Sequence, residues 1–248
     1  MNNNFIILLT GCIEPNGMKY TSLQDSKIRE KQYFDAINFY LQETTLNIVF
    51  CENSNKTSFA KNFKSYQDAG RYEYITFDGN SFDRNKGKGY GEALIIEYAL
   101  NNSKLINKDS SLIKITGRII ISNIKTILFL YKRKNHLYIQ LNNNIAQKSI
   151  SSRFFIAPTL FFTNYFIPNM TNINDSKGYY FEHLLYDQTK KWKKDKRNIS
   201  DIALAIKYEG TSGTTGECIK IGKFPYIKSI LSYFYRKFLL HNKIWIDY

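Results

Sequence analysis

Short apolar runs that end in small polar residues, with helical stripes between them, constrain this chain more than any other feature. Phe5-Ile-Ile-Leu-Leu-Thr-Gly lacks polar alternation, the mark of a strand buried on both faces. Residues 26–42 place Ile28, Tyr33, Ala36, Ile37, Tyr40 and Leu41 at helical spacing, with Asp25 or Ser26 as N-cap. Leu46-Asn-Ile-Val-Phe-Cys is a second buried strand, followed by the polar turn Glu52-Asn-Ser-Asn. Phe59 to Tyr66 reads as a short helix and Tyr72-Glu-Tyr-Ile-Thr-Phe as a third strand. A helix with Ala93, Ile96, Ala99 and Leu100 on one face then leads to a fourth strand, Leu112-Ile-Lys-Ile-Thr-Gly. This alternation predicts an α/β, Rossmann-type layered domain: a largely parallel sheet with helices on both faces.

In such sheets ligands bind at the carboxyl ends of the strands. The ends here carry Thr10-Gly11-Cys12, Glu52-Asn53-Ser54, Asp78-Gly79-Asn80 and Thr116-Gly117-Arg118, small and polar groups suited to a crevice. Before the fourth strand, Gly87, Gly89 and Gly91 interleave with Lys86 and Lys88 and run into the helix at Glu92. A glycine loop at a helix N-terminus lets amides approach an anion, with the dipole and two ammonium groups adding attraction. The same residues also read as a solvated turn. Arg118 is suited to bidentate bonds with phosphate, or to a salt bridge at a strand end.

These blocks together resemble a bacterial GT-A-type glycosyltransferase of capsule, O-antigen or lipooligosaccharide biosynthesis. The resemblance rests on the strand ending Leu-Thr-Gly-Cys-Ile, on Arg29 and Gln32-Tyr33, and on Glu52-Asn53-Ser54. It continues through Lys-Gly-Lys-Gly-Tyr-Gly-Glu and Lys114-Ile-Thr-Gly-Arg118, and covers roughly residues 5–185. It implies a GT-A-like fold in which Thr10, Gly11, Arg29, Glu52 and Asn53 hold the nucleoside of a UDP-, GDP- or CMP-linked sugar. Lys86, Lys88, Gly89, Gly91, Thr116, Gly117 and Arg118 would meet the diphosphate. Enzymes of this kind commonly place an Asp-x-Asp at the end of the fourth strand to hold a divalent metal. This chain has Thr-Gly-Arg there, and no Asp-x-Asp occurs in it. The expectation is therefore no metal or other cofactor, with Arg118 and a lysine supplying positive charge to the leaving group.

The acceptor side is expected beyond residue 150. Ser152 to Ile156 reads as a strand, followed by a buried helix with Pro158 in its first turn. Asp175 or Ser176 is placed to cap a further helix on which Tyr179, Glu182, His183 and Tyr186 are near neighbours. Glu182 lies among Phe181, Leu184 and Leu185, where a partly desolvated carboxylate suits a general base for the acceptor hydroxyl. Asp175 is the other catalytic candidate, and His183 a competing base. The expected division is a sugar- and acceptor-binding domain over 1–188 and a basic, aromatic C-terminal extension over 189–248.

Charge and composition are consistent with an anionic partner. Lys and Arg number 35 against 21 acids, for a formal charge of +14. The run Lys190-Lys-Trp-Lys-Lys-Asp-Lys-Arg reads as a solvated face, an anionic membrane surface or a nucleic-acid patch. Residues 209–217 read as a mobile loop able to close over a donor. A helix over 224–240 carries Ile227, Ile230, Leu231, Phe234, Phe238 and Leu239 on one face, for packing on the domain or for a membrane surface. Three cysteines without Cys-x-x-Cys spacing, and an N-terminus without a basic, apolar leader, predict a cytoplasmic protein, peripheral at the inner membrane if its acceptor is lipid-linked. The function expected is glycosyl transfer from a nucleotide sugar to a growing surface glycan or glycolipid. The alternative is a basic nucleic-acid-binding or nucleic-acid-modifying protein, which no RNA-binding or helix-turn-helix signature supports. A nucleotidyltransferase is the second rival, lacking its long Gly/Arg/Lys loop after the first strand.

Overall fold

The computed structural model describes residues 4–18, 21–141, 147–202, 204–211 and 218–220, and helical positions 227, 230–232, 234, 235 and 238. The four apolar runs form β1 (Phe5–Gly11), β2 (Asn47–Glu52), β3 (Tyr72–Thr76) and β4 (Ser111–Thr116), all mutually parallel in the order β3-β2-β1-β4. Between them lie α1 (Ser26–Glu43), α2 (Lys64–Asp68) and α3 (Gly87–Asn102). Because both faces of the strands are covered, alternate residues feed two cores. Ile6, Leu8, Val49 and Leu112 face Ala93, Ile96 and Ala99 of α3. Ile7, Leu9, Phe50 and Ile113 face Tyr33, Ala36, Ile37 and Tyr40 of α1.

Asp25 caps α1, its Oδ1 accepting from the amides of Lys27 and Ile28. The expected apolar stripe is shifted at its start: Ile28 is exposed and Arg29 takes the buried position. The expected helix from Phe59 to Tyr66 is two pieces, a 3-10 turn (Thr57–Lys61) and α2. The break falls at Phe63, held at a left-handed φ of 61°, a conformation that an α-helix cannot carry.

After β4 the chain makes β5 (Ile120–Ile121) and α4 (Ile124–Leu130). β6 (Leu137–Ile139) and β7 (Phe154–Pro158) extend the same sheet, β7 lying antiparallel to β4. Pro158 closes β7 and precedes α5 (Thr159–Phe161), which continues through a π-helical turn (Phe162–Phe166) and a 3-10 turn (Ile167–Asn172). Asp175 belongs to a separate 3-10 turn (Asp175–Lys177), and α6 (Phe181–Lys194) starts only at Phe181, with Tyr180 as its N-cap.

Helix α6 crosses the expected 188/189 division, and β8 (Ile199–Asp201) pairs with β6 to complete a seven-stranded sheet. The basic run begins in the last turn of α6 and continues past its end at Lys194. Trp192 is a core residue there, 1% exposed against Phe161 and Tyr165, with Nε1 donating to the Asn198 carbonyl at 2.9 Å. A ring so committed offers no stacking face to a nucleic-acid base. The lysines around it favour the helix C-terminus. β9 (Tyr208–Thr211) joins β5 and β10 (Cys218–Lys220) in a small antiparallel sheet, so the expected loop begins as strand, and its residues 212–217 lie outside the described residues. Of the C-terminal helix, Ile227, Ile230, Leu231, Phe234 and Phe238 are helical and exposed rather than packed inward; Leu239 lies outside the described residues. Among the described residues no helix is long and apolar enough to cross a membrane.

Candidate functional site

The chain runs β1, β2, β3 outward on one side, then returns to add β4 on the other side of β1. This reversal leaves a crevice at the carboxyl ends of β1 and β4, the place where open α/β sheets hold ligands. A cleft of about 270 Å³ lies there. Thr10, Gly11 and Cys12 line it from β1, Asn53 from the end of β2, and Thr116 and Arg118 from β4. Helix α3 contributes Lys88, Gly89, Gly91 and Glu92. The antiparallel β7 brings Ser152 and Arg153, which precede it, to the same end of the sheet. Asp175, Tyr180, Phe181 and Glu182 close the far wall.

One end of the cleft is basic. Arg29 is buried and donates from Nε and Nη2 to the Cys12 carbonyl at 2.8 and 2.5 Å, and from Nη1 to that of Leu23 at 3.1 Å. It fixes the loop that leaves β1. Arg118 is buried, with Nη1 donating to Gln32 Oε1 at 2.8 Å; Gln32 Nε2 donates in turn to Thr211 Oγ1 at 3.2 Å. Burial lowers the Arg118 pKa, Tyr33 opposes this, and Arg29 adds to it. A guanidinium stays charged regardless, so a buried cation faces a cleft in want of an anion.

The other end is acidic and tightly connected. Lys114, on β4, is fully buried and donates from Nζ to Glu92 Oε1 and to the Ser152 carbonyl, each at 2.6 Å. Thr10 Oγ1 donates to the same Glu92 oxygen at 2.8 Å. Ser152 Oγ donates to Glu182 Oε1 at 2.5 Å. Hydrogen bonds thus run from the end of β1 to the first turn of α6.

Asp175 sits against the N-terminus of α3. Gly87 takes a φ of 76°, and a Cβ there would lie 2.1 Å from Asp175 Oδ2, so only glycine admits the carboxylate. Burial raises the Asp175 pKa; the Gly89 amide pulls it back, Glu182 adds to the rise, and Lys88 opposes it. The glycine segment is therefore not an open loop before a helix at Glu92. It is the first turn of α3, and the anion at that turn is the protein's own.

The structure gathers Thr10, Gly11, Arg29, Asn53, Lys88, Gly89, Gly91, Thr116, Arg118, Asp175 and Glu182 around one cleft. Three expected residues stand apart. Lys86 donates to the Thr171 carbonyl at 3.0 Å and lies 4.4 Å from the centre of the Tyr90 ring. Glu52 is fully buried and spends its oxygens on the Ser54 and Lys56 amides at 2.8 and 2.9 Å and on the hydroxyls of Ser54, Tyr74 and Thr76. It shapes the β2 turn. Gly117 lies beneath the cleft, its amide on the Thr10 carbonyl at 2.9 Å, with no room for a Cβ. His183 caps α6, Nδ1 accepting from the Tyr180 amide at 3.0 Å; His136 bonds Ser200 Oγ at 2.8 Å; His241 lies outside the described residues. Sequence reasoning missed the pairing of Glu92 with Lys114, although a lysine in the middle of a buried strand is itself a signal that an acid must face it.

Neither a protein-family model nor a curated protein matches the sequence. Among solved structures, a candidate nucleotide-diphospho-sugar transferase from Desulfovibrio desulfuricans G20 aligns at 9% identity over 81% of this chain and 80% of its own, with a TM-score of 0.46. The galactosyltransferase LgtC, in complex with donor and acceptor sugar analogs, aligns at 9% identity over 79% and 72%, TM-score 0.45. The inositol-1-phosphate CTP transferase of T. maritima aligns at 11% identity over 92% and 95%, TM-score 0.45.

Proposed function

We propose that this chain is a GT-A-type glycosyltransferase that moves a sugar from a nucleotide donor to a growing surface glycan or glycolipid. The observation that carries the reading is the polarity of the switch-point cleft, with buried Arg118 at one end and Glu182 and Asp175 at the other. A nucleotide sugar has the matching polarity: a diphosphate, then a neutral polyol with an electrophilic carbon. Arg118, with Lys88 and Arg153 on the rim, would neutralise the diphosphate as the bond from the anomeric carbon to the phosphate oxygen breaks. The acceptor hydroxyl oxygen forms the new bond to that carbon, and its proton passes to a carboxylate, Glu182 first and Asp175 next. Charge is supplied by side chains in this scheme, and no metal is required. An acceptor on a lipid would suit a chain of +14 at an anionic inner-membrane surface.

Titration with UDP, GDP, CMP and their sugars by calorimetry tests the reading. One of these series should bind, and Arg118→Ala should weaken it by about 1.5–3 kcal/mol, the range for hydrogen bonds to charged groups. Absence of binding by every nucleotide, or an unchanged affinity in a folded Arg118→Ala protein, overturns it.

A further inference from the structure

We infer that Glu92 is the residue that reads the donor's sugar, by accepting hydrogen bonds from its hydroxyls; this rests on the glycosyltransferase reading above. Both protein donors to Glu92, Thr10 Oγ1 and Lys114 Nζ, go to the single oxygen Oε1. Oε2 has no hydrogen-bond partner among the described residues, and the side chain, 20% exposed, lines the cleft. A carboxylate held by one oxygen presents the other in a fixed direction, with its rotamer entropy already spent.

A second, separate group points the same way. Asn53 is 3% exposed and lines the same cleft, yet its Oδ1 has no partner. A buried acceptor left empty costs free energy unless a ligand donor fills it. Both residues line the same cleft, so two acceptors without a protein donor among the described residues stand beside one ligand site, which suits a ligand rich in O–H donors. A carboxylate oxygen and an amide oxygen, both acceptors, fit the hydroxyl donors of a polyol.

Lys114 explains why this carboxylate does not repel the neighbouring diphosphate. The ammonium is fully buried and only 2.6 Å from Glu92 Oε1, so the pair is close to neutral as seen from the phosphates. Glu92 can then discriminate. A sugar lacking the hydroxyl, or carrying it on the opposite face, leaves Oε2 desolvated and unpaired, a steeper penalty than an apolar pocket imposes.

The experiment compares, by calorimetry, a bare nucleoside diphosphate with its nucleotide sugar, on the wild type and on Glu92→Gln. The affinity for the bare nucleotide should stay within about twofold, while that for the nucleotide sugar falls about tenfold to a hundredfold, as loss of a charge-assisted bond implies. Because Glu92→Gln leaves Lys114 unpaired, the double variant Glu92→Gln/Lys114→Met is run beside it. The same selective loss in that neutral pair, with a normal circular dichroism spectrum, separates recognition from misfolding. Equal losses for nucleotide and nucleotide sugar, or none for either, overturn the role of Glu92 while leaving nucleotide binding intact. A wild type that binds no nucleotide of any kind overturns the underlying reading, and this inference with it.

Discussion

Truncating Lys114 tests the network on which the acidic end of the cleft depends. The ammonium is wholly buried and has three acceptors: Glu92 Oε1 and the Ser152 carbonyl at 2.6 Å, and Thr116 Oγ1 at 3.4 Å. Removing one partner of a buried ion pair costs about 3–5 kcal/mol, mostly because the remaining charge stays desolvated. Here the remaining charge is Glu92, which is 20% exposed and keeps the Thr10 hydroxyl, so it can turn toward water in the cleft. That places its share at the lower end, about 3 kcal/mol. The orphaned Ser152 carbonyl adds about 1 kcal/mol. Loss of the stem, whose Nζ lies 5.5 Å from the Phe181 ring and 5.9 Å from that of Phe155, leaves a cavity in addition. Lys114→Ala should therefore lose about 5–6 kcal/mol and Lys114→Met, which keeps the stem and avoids the cavity, about 4 kcal/mol. Urea denaturation followed by circular dichroism reads both, at constant m-value. A loss below about 1 kcal/mol for Lys114→Ala would refute the buried pair.

Glu182→Gln keeps size and hydrogen bonding but cannot take the proton, so turnover should fall about 10²–10⁴-fold with nucleotide affinity unchanged; near-normal turnover at saturating acceptor would move the base to Asp175. Asp175 has a folded pKa raised above its ordinary value of 3.8 by burial. The native state therefore holds its proton more tightly than the unfolded chain, and stability from this group is present below about pH 4 and lost as pH rises through the raised value. Asp175→Asn should remove that decline, so its melting temperature relative to wild type should climb across the same window; a difference flat in pH would contradict the burial. Under the proposed scheme, in which Arg118, Lys88 and Arg153 would supply the positive charge, sugar transfer should survive EDTA; complete loss, restored by manganese or magnesium, would point to a metal held by acids such as Asp78 or Asp83.

The strands were legible because burial on both sheet faces writes itself as unbroken apolar runs. The location of the cleft followed from the polar residues ending them. What the sequence hid was tertiary. Gly87, Gly89 and Gly91 depress helix propensity, so the start of α3 looked like a loop. It is helical in the fold, where Asp175 and Phe181, far away in sequence, pack against Gly87 and Gly89, and Phe82 and Asn53 against Gly91. Glu52 looked like a ligand because a carboxylate at a strand end is either exposed or occupied, and only the folded turn reveals that Ser54, Lys56, Tyr74 and Thr76 fill it. Glu92 and Lys114 are separated by a helix and a turn, and no local pattern announces their contact. Ile28 and Arg29 exchanged places because the carbonyls of Cys12 and Leu23 needed donors.

The reversal of direction between β4 and β7 has a consequence for how such a chain can diversify. On the parallel side, the segments reaching the cleft leave the strands, and each is bound to the helix that follows it. Past β4 the polarity inverts, and Ser152 and Arg153 reach the cleft from a segment that enters its strand. Lengthening or rewriting that segment alters one wall of the cleft without passing through any helix between β1 and β4. The two halves of one continuous sheet can thus change separately, each reshaping its own side of the cleft.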